Sequence, residues 1–248
     1  MALYNEYTTT HLAPRVFRFD LRDSSCQRAL HHALQRQLAV RWAGSALLVS
    51  CAGSCGHSGW HEVQALAGGY TCDCPSRHPC QHIARAWAEL SGQWDELTRI
   101  SRAHGALAAV AWACWQEHGI LIARPIRRLH DVHLERIQGA AHANIPHYRR
   151  HSFAIEWGYC GSGPADLAWS ILLHFYGPAI AEELSYDFKI EVIARIPRDT
   201  QAYTIRARDI AAWVAQRLSP SLPPSPTGAG AGLAPAPAVL SRKAVPDA

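Results

Sequence analysis

The chain has 248 residues, of which 48% are hydrophobic and 18% charged, and its formal net charge is +4. This excludes a wholly disordered chain and predicts one or two domains with cores of their own, while a charge this mild does not by itself imply nucleic acid. The apolar stretches, such as 106–115, are too short to cross a bilayer and the first residues show no charged-then-apolar leader, so the expectation is a soluble cytoplasmic protein.

In chain order, Ser24–Val40 carries Ala29, Leu30, Ala33, Leu34 and Leu38 at helical spacing, with Ser24 or Ser25 as cap. Ala46–Cys51 reads as a strand, followed by the Gly/Ser-rich loop AGSCGHSG. Trp60–Leu66 then alternates as the return strand of a hairpin. Gly68 and Gly69 turn the chain into Tyr70–Pro75, and Pro79 precedes a helix over Gln81–Leu90. Further on, Ala106–Trp115 reads as an apolar helix, and Gly119–Ile126 and Ser152–Glu156 as strands. Pro164–Tyr176 reads as a helix, Phe188–Ile196 and Thr204–Arg206 as strands, and Asp209–Leu218 as a last helix. The fold class is α+β: a small β-hairpin-plus-helix module followed by a second small α+β domain. Residues 219–248 hold seven of the 15 prolines and no aromatic residue, and read as a disordered Pro/Ala/Gly-rich tail.

The chemistry is carried by TCDCPSRHPCQH. Cys72 and Cys74 are two apart, Cys80 and His82 are two apart, and five residues separate the pairs. In an extended segment residues i and i+2 face one side, so Cys72 and Cys74 present two sulfurs together. Cys80 falls at a helix start, where free N–H groups favour a thiolate, and His82 lies in the first turn. Sulfur and imidazole in a set of four suit tetrahedral Zn²⁺. With all four positions filled by protein no water site remains, so one structural zinc ion is expected and no catalytic one. His78 is a rival to His82 that the Pro79 loop turns outward. Cys51, Cys55, His57 and His61 form a second set with ligand spacing, whose bland alternative is a packed Cys51 with polar loop residues. Cys26, Cys114 and Cys160 stand alone and read as buried small hydrophobes.

The pattern Cys-x-Cys, five residues, Cys-x-His, with ALLVSC and WHEVQAL upstream and PCQHIARAWAEL downstream, resembles the SWIM-type zinc finger over about residues 44–91. The resemblance implies Cys72, Cys74, Cys80 and His82 as zinc ligands, and binding of DNA or of a protein partner. Four regions follow: an N-terminal extension with a helix (1–43), the SWIM-type domain (44–102), an α+β domain (106–218) and the tail (219–248).

A second motif, EWGYCGSGPADLAWSIL, spans Glu156 to Leu172. Its glycines permit tight turns, Pro164 suits a first helical position, and Asp166 suits a first turn. Free N–H groups there are an anion-binding option. It lacks the lysine of a P-loop and the G-x-S-x-G of a nucleophile elbow. No base is paired with Cys160, although His151 and His174 exist, so a strand-to-helix turn is preferred to catalysis. The segment resembles a bacterial and phage domain family of unknown function with a WGYGGSGPAxLA-like motif, over about 118–217, with Cys160 where that pattern has glycine.

Arginines offer phosphate contacts. Arg77 lies between the two Cys/His pairs and Arg85 just after them, and Arg124, Arg127, Arg128, Arg149 and Arg150 belong to a histidine-rich stretch that reads equally as a solvated linker or helix face. His130 and His133 would share one side of such a helix. The expected function is a zinc-stapled nucleic-acid-binding accessory factor of a bacterial, plasmid or phage system, with DNA or RNA as partner. The alternative is a zinc-dependent protein-interaction adaptor using exposed tryptophans such as Trp60, Trp87 or Trp94. No enzyme, membrane partner or small-molecule substrate is expected.

Overall fold

A computed structural model describes residues 15–52 and 58–219. It is α+β, with two small antiparallel sheets and seven α-helices among the described residues. The chain divides into two compact units, Met1–Asp95 and Glu96–Ala248. The tail reading falls outside the described residues from 220 on. No helix among the described residues is long and apolar enough to cross a membrane.

In the first unit, α1 (Ser24–Arg36) is capped by Asp23, whose carboxylate accepts from the Ser25 N–H at 2.7 Å, and not by Ser24 or Ser25. A left-handed Gln37 (φ 48°) ends it four residues before Val40, which frees Val40–Ala43 to form β1. The strands β2 (Ala46–Ala52), β3 (Ser58–Leu66) and β4 (Gly69–Cys72) follow, and the sheet order is β1-β2-β3-β4. Leu47 and Val49 on β2 and Val63 on β3 point inward by strand alternation. They meet α2 (Gln81–Leu90), which buries Ile83, Ala84, Ala86 and Ala88, and α1 packs on α2. Gly69 (φ +148°) is required, because a Cβ there would lie 2.3 Å from the Phe17 carbonyl oxygen. That close approach lets Phe17 and Tyr70 exchange both backbone hydrogen bonds at 2.7 and 2.8 Å.

A third helix, α3 (Trp94–His104), spans the division between the units, and α4 (Ala106–His118) agrees with the apolar pattern. The second sheet has the order β6-β5-β7, from β5 (Val132–Ile137), β6 (Ala140–Ala143) and β7 (Ala202–Ile205). Its core is the pair α5 (Ser162–Tyr176) and α6 (Pro178–Glu191), with α7 (Ala207–Leu218) closing the unit. Three expected strands are absent. Phe188–Ile196 is the end of α6 followed by a 3-10 turn at Ile193–Arg195, because Ile180, Leu184 and Phe188 continue a helical stripe begun at Pro178. Gly119–Ile126 and Ser152–Glu156 are irregular. The histidine-rich stretch is neither linker nor helix but mostly the β5–β6 hairpin and its flanks.

Candidate metal centre

Cys72 ends β4, Cys74 follows two residues on, and Cys80 is the N-cap of α2 with extended backbone (φ −99°, ψ 167°). His82 lies in the first turn of that helix and is 2% exposed. Between the pairs, Ser76 Oγ donates to the His78 carbonyl at 2.8 Å and accepts from its N–H at 3.3 Å, which closes the loop tightly. One ligand atom from each of Cys72, Cys74, Cys80 and His82 lies within 4.8 Å of the others. Cys72 Sγ and His82 Nδ1 are 3.8 Å apart. Tetrahedral Zn²⁺ with Zn–S near 2.3 Å and Zn–N near 2.0 Å would place its ligands about 3.5–3.8 Å apart; the Cys72–His82 separation matches that spacing, and the four side chains together could hold a metal ion.

The electrostatics of the sulfurs agree with that fit. Cys74 is pushed down, chiefly by the hydrogen bond from Cys72 and then by that from Cys80. Cys72 is pushed well up because its proton is held toward Cys74, then Cys80, and by burial. Cys80 is lowered by its contact with Cys72, but the Cys74 hydrogen bond and burial outweigh this and raise it to about 11. Three half-buried sulfurs thus lie in one place and interact strongly with one another, and metal binding there would displace their protons.

A second layer surrounds the quartet. The His61 ring lies 4.3 Å from the His82 ring, and His61 Nδ1 is 2.7 Å from Asp73 Oδ1. His82 Nε2 is buried with no hydrogen-bond partner in the structure, so the ring is placed by packing and by its Nδ1 side. Sequence reasoning assigned His61 to the other ligand set and did not use Asp73. The β2–β3–β4 register held the signal, since Val63 pairs with both Leu47 and Cys72, and His61 shares its face two residues away. Of that other set, Cys55 and His57 lie outside the described residues. Cys51 is disulfide-bonded, and a ligand atom of His61 lies within 4.8 Å of one from Cys51 and one from His82. His78 is exposed and outside the quartet.

The arginines separate into surface and interior. Arg77, Arg124, Arg127 and Arg128 are exposed. Arg149 stacks on Phe153 at 3.6 Å, and Arg150 stacks on Trp169 and pairs with Glu182 at 2.9 Å. Arg85 is no surface contact. It is 6% exposed, donates to the Leu38 carbonyl at 2.8 Å, pairs with Glu89 at 2.7 Å and covers Trp94 at 3.9 Å. Among the tryptophans Trp60 is exposed, whereas Trp87 packs on Phe19 and Trp94 lies under Arg85. His130 and His133 share no helix; His133 is on β5 with Nδ1 3.1 Å from Thr204 Oγ1. Cys160 is exposed, not buried.

Asp166 falls in the second turn of α5, not the first, because the helix begins at Ser162. Its fully buried carboxylate accepts from the backbone N–H groups of Arg150, His151 and Ser152 at 2.9–3.1 Å, with His147 Nε2 at 3.2 Å. The carboxylate therefore binds the 147–152 loop to the helix. Gly158 (φ +82°) completes the motif, since a Cβ there would strike Arg198 backbone at 2.5 Å.

Residues 130–216 match the model of a family of unknown function, DUF6166. The match covers the second sheet, α5, α6 and most of α7, leaves out α3 and α4, and is a likeness of that part only. No curated protein and no solved structure matches the chain.

Proposed function

We propose that residues 44–102 form a SWIM-type module stapled by one structural Zn²⁺ on Cys72, Cys74, Cys80 and His82, and that the protein is a cytoplasmic nucleic-acid-binding accessory factor, not an enzyme. The observation that carries this reading is the convergence of three sulfurs and one imidazole nitrogen within 4.8 Å. When bound, the ion supplies a fixed tetrahedral crosslink between the end of β4 and the start of α2; the shell leaves no place for a reacting water. The module precedes a separate domain at 106–218, and the exposed Arg77, Arg124, Arg127 and Arg128 supply phosphate contacts. A bacterial, plasmid or phage setting fits both sequence resemblances.

Metal analysis of the purified chain should find one zinc per molecule, and Cys74→Ser should lose it together with the folded module. A metal-free wild type, or a Cys74→Ser chain with unchanged zinc and stability, rejects the centre. Gel shifts at low salt test the nucleic-acid half, because phosphate contacts are strongest there. The second reading, a protein adaptor, is favoured by Trp42 and Trp60 on the first sheet, exposed by 59% and 39%. A stoichiometric partner that co-purifies after nuclease treatment would select it.

A further inference from the structure

One face of α1 borders a groove of about 540 Å³ whose opposite wall is the Cys74–His82 segment. Arg28, His32 and Arg36 line it, four residues apart on the helix, hence spaced by about 6 Å along a straight row. Ser76 and His78 face them from the loop. Arg36 Nη1 donates across the groove to Gln81 Oε1 at 2.6 Å, which joins the two walls. No aspartate or glutamate is among the described residues lining the groove. The segment SSCQRALHHALQR contains no acid, and the nearest carboxylate of this helix, the N-cap Asp23, lies at its start and attracts Arg28.

We infer that this groove is a binding surface for the phosphate backbone of a nucleic acid, a deepening that rests on the nucleic-acid half of the function proposed above. The row is outside the segment that resembles a SWIM finger, and its chemistry selects the partner. Regularly spaced guanidinium groups pair with phosphate oxygens and carry no sequence information. A protein partner would need an aromatic or large aliphatic anchor in a pocket, whereas the apolar side chains here are Ala29, Pro75 and Pro79, beside the two ligand cysteines. The metal shell, three thiolates around a divalent ion, carries one net negative charge that a single arginine offsets. Arg28 and Arg36 together exceed that need.

The test is fluorescence anisotropy on the full zinc-loaded chain, with labelled single-stranded DNA, duplex DNA and single-stranded RNA of about 20 nucleotides per strand titrated across a salt series. Arg28→Ala with Arg36→Ala should weaken binding about ten-fold at low salt and reduce the slope of log K against log salt by about two contacts, with zinc content unchanged. Arg28→Lys with Arg36→Lys keeps the charge and should keep the slope, which separates charge from folding. If the wild type binds and the alanine pair binds with the same slope, the groove is the wrong surface while nucleic-acid binding stands. If the wild type binds none of single-stranded DNA, duplex DNA and single-stranded RNA of the same length at low salt, or if poly-glutamate competes as well as DNA, the nucleic-acid reading fails and this inference with it. Zinc loss in the alanine pair would assign the arginines to the metal shell and overturn the surface.

Discussion

Asp166 is a carboxylate without exposure, and backbone geometry keeps it charged. Burial raises its pKa, but the N–H groups of Arg150, Ser152 and His151, with His147, outweigh burial and hold it below the ordinary value of 3.8. A lowered folded pKa means that the unfolded chain binds the proton more readily. The stabilisation is therefore present above pH 3.8 and is lost as pH falls through the folded value. Asp166→Asn puts an amide donor against the same N–H groups and should cost about 3 kcal/mol at neutral pH. Urea unfolding of both chains should show that difference shrinking in acid; a pH-independent difference would assign the residue to packing alone. Arg85 is the contrasting charge, lowered mainly by burial and anchored by Leu38, Glu89 and Trp94. Arg85→Ala should lower stability by about 2 kcal/mol, Glu89 being partly exposed, and leave the salt dependence of nucleic-acid binding untouched. A changed salt slope in that variant would return Arg85 to the contact surface.

Among the elements, those whose pattern and boundary chemistry agreed were legible. The α2 range, the β2–β3 hairpin and α4 all follow from local periodicity, and the Cys/His spacing brought its four side chains together in the structure. Most of the failures share a cause: the deciding partner lies outside the local sequence window. FKIEVIARI alternates like a strand, yet the stripe of Ile180 and Leu184 before it and the α5 surface opposite make it helical to Glu191. Likewise the β5 pairing with β7 joins Val132 to Ile205, a register that no local window contains. Arg85 looked like a surface residue because an arginine in an amphipathic helix usually is one; its acceptor, Leu38, is 47 residues away. Gly69 was read as a turn residue for its flexibility alone, and the structure adds the contact with Phe17. Gly69→Ala should therefore destabilise by more than about 1 kcal/mol, through both its φ and the clash with that carbonyl. If thermal denaturation shows no loss, the Phe17–Tyr70 bridge does not form in solution.

For the whole molecule, the two units rest on different kinds of interior. The second has a continuous core in which Leu167, Ile171, Leu172 and Phe175 of α5 meet Ile180, Leu184 and Phe188 of α6, with Trp157 fully buried beside them. Among the described residues the first buries fewer large side chains, including Leu21, Leu30, Leu34, Leu38, Leu47 and Ile83 and no aromatic hydrophobe, and much of the rest of its core is alanine (Ala29, Ala33, Ala46, Ala84, Ala86 and Ala88), which contributes little apolar area each. A unit of that kind gains much from a metal crosslink, because zinc binding is folding free energy when the site does not exist in the unfolded chain. Chelation should then act unequally. Hydrogen exchange after treatment with a strong zinc chelator should lose protection in β4 and α2, whose ends carry the proposed ligands, and in β3, which pairs with β4, while α5 and α6 keep theirs because their core uses none of those residues. Restoring zinc should restore the lost protection. Equal loss in α5 would mean that the second unit depends on the metal as well, and undiminished protection in α2 would mean that its alanine-rich core holds the module without the ion.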